Sequence, residues 1–199
     1  MSKYDYIAKY YDKLLFSLEE KYLDKYRKKF VGKIEGYTLD LAVGTGNNIK
    51  YYPKNSNVVL IDESEKMLEI AKNKAKNRND LNLKFIQSSI ENLPFNENTF
   101  DTILSIDVFC SVNNPFKSMK KVYNVLKNGG KGIFVEHGLT GNILKDFWLY
   151  FSTLFTYPLL GSSMIRKPLN YLQYANFKLV EYGYLNKSFY YFIVRKEKI

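Results

Sequence analysis

Short apolar runs alternate along the chain with longer amphipathic stretches, and this alternation predicts the fold. Residues 4–30 carry Tyr4, Ile7, Tyr10 or Tyr11, and Leu14 at helical spacing among lysines and acids, which predicts one or two helices. A β run from Tyr37 to Val43 then breaks at Gly44-Thr45-Gly46 and enters a polar helix start, so the order is strand, tight turn, helix. The unit repeats. Val58 to Ile61 is a strand closed by Asp62, Ser64 to Asn77 a helix, Leu83 to Gln87 a strand, and Thr102 to Val108 a strand. Pro115 to Leu126 reads as a helix stopped by Asn128-Gly129-Gly130, and Lys131 to Glu136 as the next strand. Strands alternating with helices predict an α/β fold, a Rossmann-like seven-stranded mostly parallel sheet with helices on both faces.

After residue 137 the rhythm changes. Residues 147–165 carry no charge, a helix is expected near Lys167 to Tyr174, and strands are expected from Phe177 to Leu185 and Phe189 to Arg195. The Asn186-Lys187-Ser188 link predicts an antiparallel C-terminal hairpin. The expected organisation is therefore one domain over 1–199. It comprises an N-terminal helical cap (1–36), a cofactor-binding core (37–137), a substrate lid (138–176) and the hairpin (177–199). The uncharged stretch approaches the ~20 residues of a spanning helix. Pro158, Gly161 and five hydroxyl residues argue against spanning. The first residues, Met-Ser-Lys-Tyr-Asp-Tyr, hold no apolar run of signal-peptide length, which predicts a cytoplasmic protein.

Composition narrows the picture further. With 199 residues, 46% hydrophobic and rich in Tyr and Phe, the chain can bury one substantial core. A single cysteine, Cys110, excludes an internal disulfide, and with one histidine it cannot complete the usual closed His/Cys zinc site, so no metal is expected. The net charge is +10. Residues 1–36 carry 9 basic and 6 acidic side chains and residues 138–199 carry 8 and 3, so +8 of the total lies in the flanks. That balance suits an anionic partner, with nucleic acid, a phospholipid surface and an acidic small molecule all open on charge alone.

Chemistry concentrates at Asp40-Leu41-Ala42-Val43-Gly44-Thr45-Gly46, with Asp62 at the end of the following strand. Glycines let backbone approach a ligand, and an acid after the second strand can accept from both ribose hydroxyls, so a nucleoside is expected. A dinucleotide would want a third glycine, but Gly46 is followed by Asn47-Asn48-Ile49, and Asp40 would repel a pyrophosphate. A carboxylate there can instead receive the ammonium of S-adenosylmethionine.

These segments resemble the class I S-adenosylmethionine-dependent methyltransferases. Within that class they resemble the branch of ubiquinone/menaquinone C-methyltransferases, bacterial phosphatidylethanolamine N-methyltransferases and methyltransferase-like thiol methyltransferases. The resemblance rests on Leu39-Asp40 with Gly44 to Asn48, Ile61-Asp62-Glu63 through Leu68, Glu91 to Phe95, Phe100-Asp101, and Val125 to Gly130. Tyr51-Tyr52-Pro53, Phe109 to Val112, Glu136-His137 and Gly161 to Arg166 look closer to the phospholipid and thiol enzymes of that branch. The resemblance implies S-adenosyl-L-methionine as cofactor and S-adenosyl-L-homocysteine as product. It implies a methionine floor of Gly44 and Gly46, Asp62 on the ribose and Met67 on the adenine. Tyr6 and Tyr11 would close over the cofactor. Thr45, Asn48, Glu63, Ile106 and Ile90 complete the expected cofactor contacts. Ala42 stands where a glycine is usual, and Ser89 where many relatives place an aspartate.

Methyl transfer is an in-line displacement that needs positioning and dryness more than a base, so the catalytic residues are the hardest to read. His137, after the fifth strand at the carboxyl edge of the sheet, and Tyr11 are the catalytic candidates, His137 as base or orienter. Cys110 reads as a small buried apolar residue and Asp107 as either site-facing or a cap. The expected acceptor is small or lipid-like: a phospholipid amine, a thiol or a quinone-type molecule. Peripheral contact with an anionic membrane is expected from the basic flanks and aromatic lid. An RNA methyltransferase and a non-catalytic S-adenosylmethionine-binding protein are the rivals, although no RNA-binding module is recognisable.

Overall fold

Inner strands with apolar side chains on both faces can be buried only within a covered sheet. The computed structural model of the chain, which describes residues 3–18, 23–186 and 188–197, places them there. The strands are β1 (Tyr37–Leu41), β2 (Asn57–Asp62), β3 (Asn82–Gln87), β4 (Phe100–Ile106), β5 (Leu126–His137), β6 (Lys178–Tyr184) and β7 (Phe189–Arg195). Their order is β3-β2-β1-β4-β5-β7-β6. β1 to β5 pair in parallel, and β7 inserts antiparallel between β5 and β6. The expected hairpin forms: Asn186 Oδ1 accepts from the N–H groups of Ser188 and Phe189 at 2.9 Å each. Lys187 lies outside the described residues.

The predicted N-terminal helical stretch divides into a 3-10 turn (Lys3–Tyr6), α1 (Ala8–Leu18) and α2 (Asp24–Val31). Residues 1–2 and 19–22 and the side chain of Leu14 lie outside what is described. Next come α3 (Glu65–Ala75), α4 (Pro115–Val125), α5 (Ile143–Leu160) and α6 (Pro168–Tyr174). Starts follow local chemistry. The Ser64 side chain accepts from Met67 N–H at α3, and Asn114 accepts from Lys117 N–H ahead of Pro115 at α4.

One expectation is corrected. Asn128-Gly129-Gly130 is not a helix stop, because α4 passes directly into β5 at Leu126 and the three residues lie within the strand. Gly129 takes φ +79°, and Gly129 N–H donates to Lys196 O while Lys196 N–H donates to Gly130 O, at 2.8 and 3.1 Å. The glycines make an irregularity held by the C-terminal segment, and the β4–β5 register shifts opposite them.

Period-two alternation splits the core between the two faces. Leu39, Ile61, Ile103 and Phe134 pack with Met119 of α4 and Leu172 of α6. Leu60, Leu104 and Val135 pack on the other side with Phe30 of α2 and Leu68 of α3. Asp40 alternates onto this second side, where it is fully buried.

Candidate active site

β1 ends in a turn that needs unusual backbone. Ala42, Gly44 and Gly46 all take positive φ, at 46°, 57° and 84°. Gly46 has no room for a side chain: a Cβ there would lie 2.7 Å from Ile49 Cδ1 and 3.0 Å from Ala71. Above Gly44, by contrast, the space is open. Ala42 in the left-handed region carries a strain of about 1–2 kcal/mol, so the departure from glycine is tolerated at a cost. The turn is fixed from β2: Asp62 accepts from Gly44 N–H and Ser64 N–H, both at 2.8 Å. Burial pushes the Asp62 carboxyl up in spite of these bonds.

Behind the turn runs a buried polar chain. Arg27 Nη1 donates to Asn48 Oδ1 at 2.6 Å, Asn48 Nδ2 donates to Asp40 Oδ2 at 2.8 Å, and the Tyr52 hydroxyl donates to the same oxygen. Burial raises the Asp40 carboxyl to about 6, against the lowering effect of Tyr52 and Asn48. Its second oxygen, Oδ1, is buried with no hydrogen-bond partner. A buried acceptor with an unused lone pair fits the ammonium of the implied cofactor.

The N-terminal segment covers this floor. Ser64 Oγ donates to Asp5 Oδ1 and Thr45 Oγ1 to Asp12 Oδ1, each at 2.5 Å, and Lys74 Nζ pairs with Asp12 Oδ2 at 2.7 Å. Burial alone would raise the Asp12 carboxyl, but hydrogen bonds from Lys74 and Thr45 bring it below its ordinary value. Tyr4 and Tyr11, 6.2 Å apart, point into the cleft, and burial raises both phenols. Two cavities remain beneath. One of about 90 Å³ is lined by Tyr4, Gly44, Asp62, Met67 and Asp107, and one of about 40 Å³ by Arg27, Gly44, Asn48 and Ile106, with Tyr11 lining both. Ligand pockets usually exceed about 300 Å³. Both are smaller, and the residues around them fit the cofactor: a buried carboxylate oxygen for an ammonium, an acid for a ribose and Met67 for a base.

At the far end of the cleft, Asp107, Cys110 and His137 bring carboxylate, thiol and imidazole ligand atoms within 4.8 Å of one another. Asp107 sits at φ 61°. His137 Nε2 lies 3.4 Å from Asp107 Oδ1, Nδ1 has no partner, and the ring packs edge-on to Phe189. Glu136, 1% exposed, holds the β4 end in place by accepting from Ser105 Oγ at 2.7 Å and from Val108 and Phe109 N–H at 3.0 Å each. Its burial raises the carboxyl to about 8. Burial likewise raises the Cys110 thiol. The Asp107 carboxylate at this end suits the positive sulfonium of the implied cofactor.

The structure brings together Tyr11, Ala42, Gly44, Thr45, Asn48, Asp62, Glu63, Met67 and Ile106 around the two cavities. Asp40 and Gly46 support the floor from beneath. Tyr6 is a correction: it is 72% exposed, because two residues along a three-residue turn face away from Tyr4, which takes the inward place. Ser89 and Ile90 line neither cavity. Ser89 precedes a short 3-10 turn, and Ile90 is buried in the core. Sequence reasoning missed Tyr4, Arg27, Tyr52 and Asp12 as parts of the site. It also left Glu136 without a role, although an acid directly after the apolar run Gly132-Ile133-Phe134-Val135 signals a buried anchor. No residue of α5, in the expected lid, lines either cavity, and the helix turns its aromatic side outward.

Comparison with known proteins agrees with this geometry. Residues 39–134 match the family described as methyltransferase domain. The chain is 37% identical over 103 residues to the ubiquinone/menaquinone biosynthesis C-methyltransferase UbiE of Wigglesworthia glossinidia brevipalpis, covering 49% of this chain and 41% of that protein. Against the demethylmenaquinone methyltransferase of Lactococcus lactis it is 29% identical over 192 residues, 92% of this chain and 71% of that protein. In structure it matches an S-adenosylmethionine-dependent methyltransferase of Thermotoga maritima with a TM-score of 0.73 at 19% identity, over 98% of each chain. Over residues 39–134, about half of its length, the chain carries a methyltransferase domain, and its sequence relatives and fold are similar to those of class I S-adenosylmethionine-dependent methyltransferases. Within that class, the sequence relatives named above are quinone-biosynthesis C-methyltransferases, and the chain spans about two fifths of the length of the first.

Proposed function

We propose that this chain methylates an apolar, quinone-type ring at carbon, with His137 and Asp107 handling the proton. The observation that carries the reading is the His137–Asp107 pair at the carboxyl edge of the sheet, in which Asp107 lines the larger cavity and the buried His137 lies 3.4 Å from it. The similarity to demethylmenaquinone methyltransferase over 92% of the chain supports the acceptor class. Bound S-adenosylmethionine supplies an electrophilic methyl group and leaves as S-adenosylhomocysteine. Asp40 would hold its ammonium, Asp62 its ribose, and Met67 would pack on its adenine. His137 takes the proton of a ring hydroxyl, which raises electron density at the neighbouring ring carbon. Asp107 Oδ1, 3.4 Å away, stabilises the imidazolium that results. The ring carbon takes the methyl group and then loses its own hydrogen as a proton, released to solvent with the product, while the ring oxygen recovers its proton from His137. Tyr4 and Tyr11, drawn over the cleft, exclude water from the transfer.

His137→Ala should lower the single-turnover methylation rate of a demethylated quinol by about 100-fold while calorimetry shows cofactor affinity near wild type. Full turnover by this variant would reduce His137 to a wall residue and refute the assignment.

A further inference from the structure

α5 has its polarity reversed relative to a helix packed on a core. Its polar side chains face the protein and are used there. Thr153 Oγ1 donates to Leu149 O at 2.8 Å and accepts from Met164 N–H at 3.0 Å, and Thr156 Oγ1 donates to Ser162 O at 2.7 Å. Asp146 accepts from the N–H groups of Thr140 and Gly141 at the start of the helix. The outward side holds Leu144, Phe147, Trp148, Phe151, Leu154 and Phe155, each between 47% and 78% exposed. Phe147, Trp148, Phe151 and Phe155 contact one another in sequence, with ring centroids 6.2, 6.0 and 5.3 Å apart. Because the polar side is committed to fixing the helix, the apolar stripe cannot be turned inward by a simple rotation. A continuous patch of this kind marks a contact surface.

Charge selects the partner. Lys3 Nζ reaches Pro158 O at 3.4 Å, which puts a cation beside the C-terminal end of the stripe. At the other end Arg166 and Lys167 border a hollow of about 390 Å³ that Asp146 also lines, together with Tyr182 and Tyr184. An apolar stripe rimmed by basic groups, on a chain of net charge +10, complements an anionic lipid surface. Among the described residues no helix is long and apolar enough to cross a membrane. We infer that α5 lies flat in the interface of an anionic bilayer, with Trp148 and its neighbouring phenylalanines among the acyl chains and Lys3 and Lys167 against the headgroups. The segment after α5 leads to the active site, where Ser163 N–H donates to Cys110 O at 2.9 Å. The inference stands on this surface and adds to the acceptor reading only the place from which an apolar acceptor arrives.

The test uses the full chain with phosphatidylcholine vesicles, with and without phosphatidylglycerol. Trp148 is the only tryptophan, so its emission reports on the stripe. Expected are sedimentation with the anionic vesicles, a blue shift of the emission, and its quenching by brominated acyl chains. High salt should weaken the binding without abolishing it. The variant Phe147→Ser/Phe151→Ser/Phe155→Ser keeps the reporter and should bind anionic vesicles at least about tenfold more weakly, and Lys167→Glu should reduce only the salt-sensitive part. Calorimetric cofactor binding equal to wild type shows that the variants are folded. The inference is overturned if the wild type ignores anionic vesicles at low salt, or if it binds with no change in Trp148 emission. It is also overturned if sedimentation velocity without lipid shows self-association that the triple variant abolishes. Turnover of detergent-dispersed quinol is measured separately, so loss of vesicle binding with retained turnover leaves the acceptor reading intact.

Discussion

Glu136 offers the sharpest test of how the site is held, because it is a buried acid whose role is structural. Its ordinary carboxyl value is 4.5 and burial raises it to about 8. Between those values the folded protein keeps a proton that the unfolded chain has released. Folding stability should therefore fall by about 1.4 kcal/mol per pH unit as pH rises across that window, about 5 kcal/mol at most in all, and level off above it. The contribution is fully present below the unfolded value and is lost as pH passes the folded one. Glu136→Gln removes the charge and keeps the shape. Its amide oxygen can accept from Val108 and Phe109 N–H and its NH2 can donate to Ser105 Oγ, so the bonds survive. Glu136→Ala removes the acceptor for all three donors and should cost several kcal/mol at every pH, at about 1–3 kcal/mol for each group left unpaired. Urea denaturation of the three proteins at intervals from about pH 5 to 8 measures this directly. The glutamine variant should gain on the wild type steadily with pH. Parallel curves for the two, or a glutamine variant as weak as the alanine variant, would show that Glu136 is not the buried neutral anchor described.

Two other changes probe the cleft. Asp62→Ala removes a charged acceptor from both the Gly44 turn and the expected ribose position, so affinity for S-adenosylhomocysteine should fall at least about tenfold, and unchanged calorimetry would contradict the assignment. Asp12→Asn weakens a half-exposed latch to Lys74 and Thr45 worth about 1 kcal/mol or less; hydrogen exchange should quicken at residues 4–13 with little change in global stability, and identical exchange would mean the cover is held by its tyrosines alone.

The sheet was legible where one residue's chemistry has one solution. Asp40 to Gly46 and Asp62 announce a strand, a tight turn and a second strand because only small residues fit a left-handed turn packed against Ala71. Legibility failed where tertiary contacts choose between local options. Asn128-Gly129-Gly130 suits a helix end as well as a bulged strand, and only pairing with Lys196, 66 or more residues away, selects the strand. Tyr4 and Tyr6 differ only in the phase of a short turn, which composition does not encode. α5 read as a lid because its residues are apolar; which side faced the body depended on Thr153 and Thr156 finding partners in the segment that follows.

The chain from Arg27 through Asn48 to Asp40 changes where the working unit of this protein begins. α2 is buried through Tyr26, Phe30 and Val31, and its Arg27 contributes positive charge beside an otherwise acidic floor. The N-terminal 36 residues are thus two things. The stretch through α1 covers the floor and is tied to it through Asp5 and Asp12, whereas α2 supplies Arg27 to the buried chain beneath. Any minimal version of this catalyst, whether trimmed in the laboratory or fused to another protein, has to start ahead of Asp24, since a cut at the first strand would leave Asp40 buried without the counter-charge of Arg27.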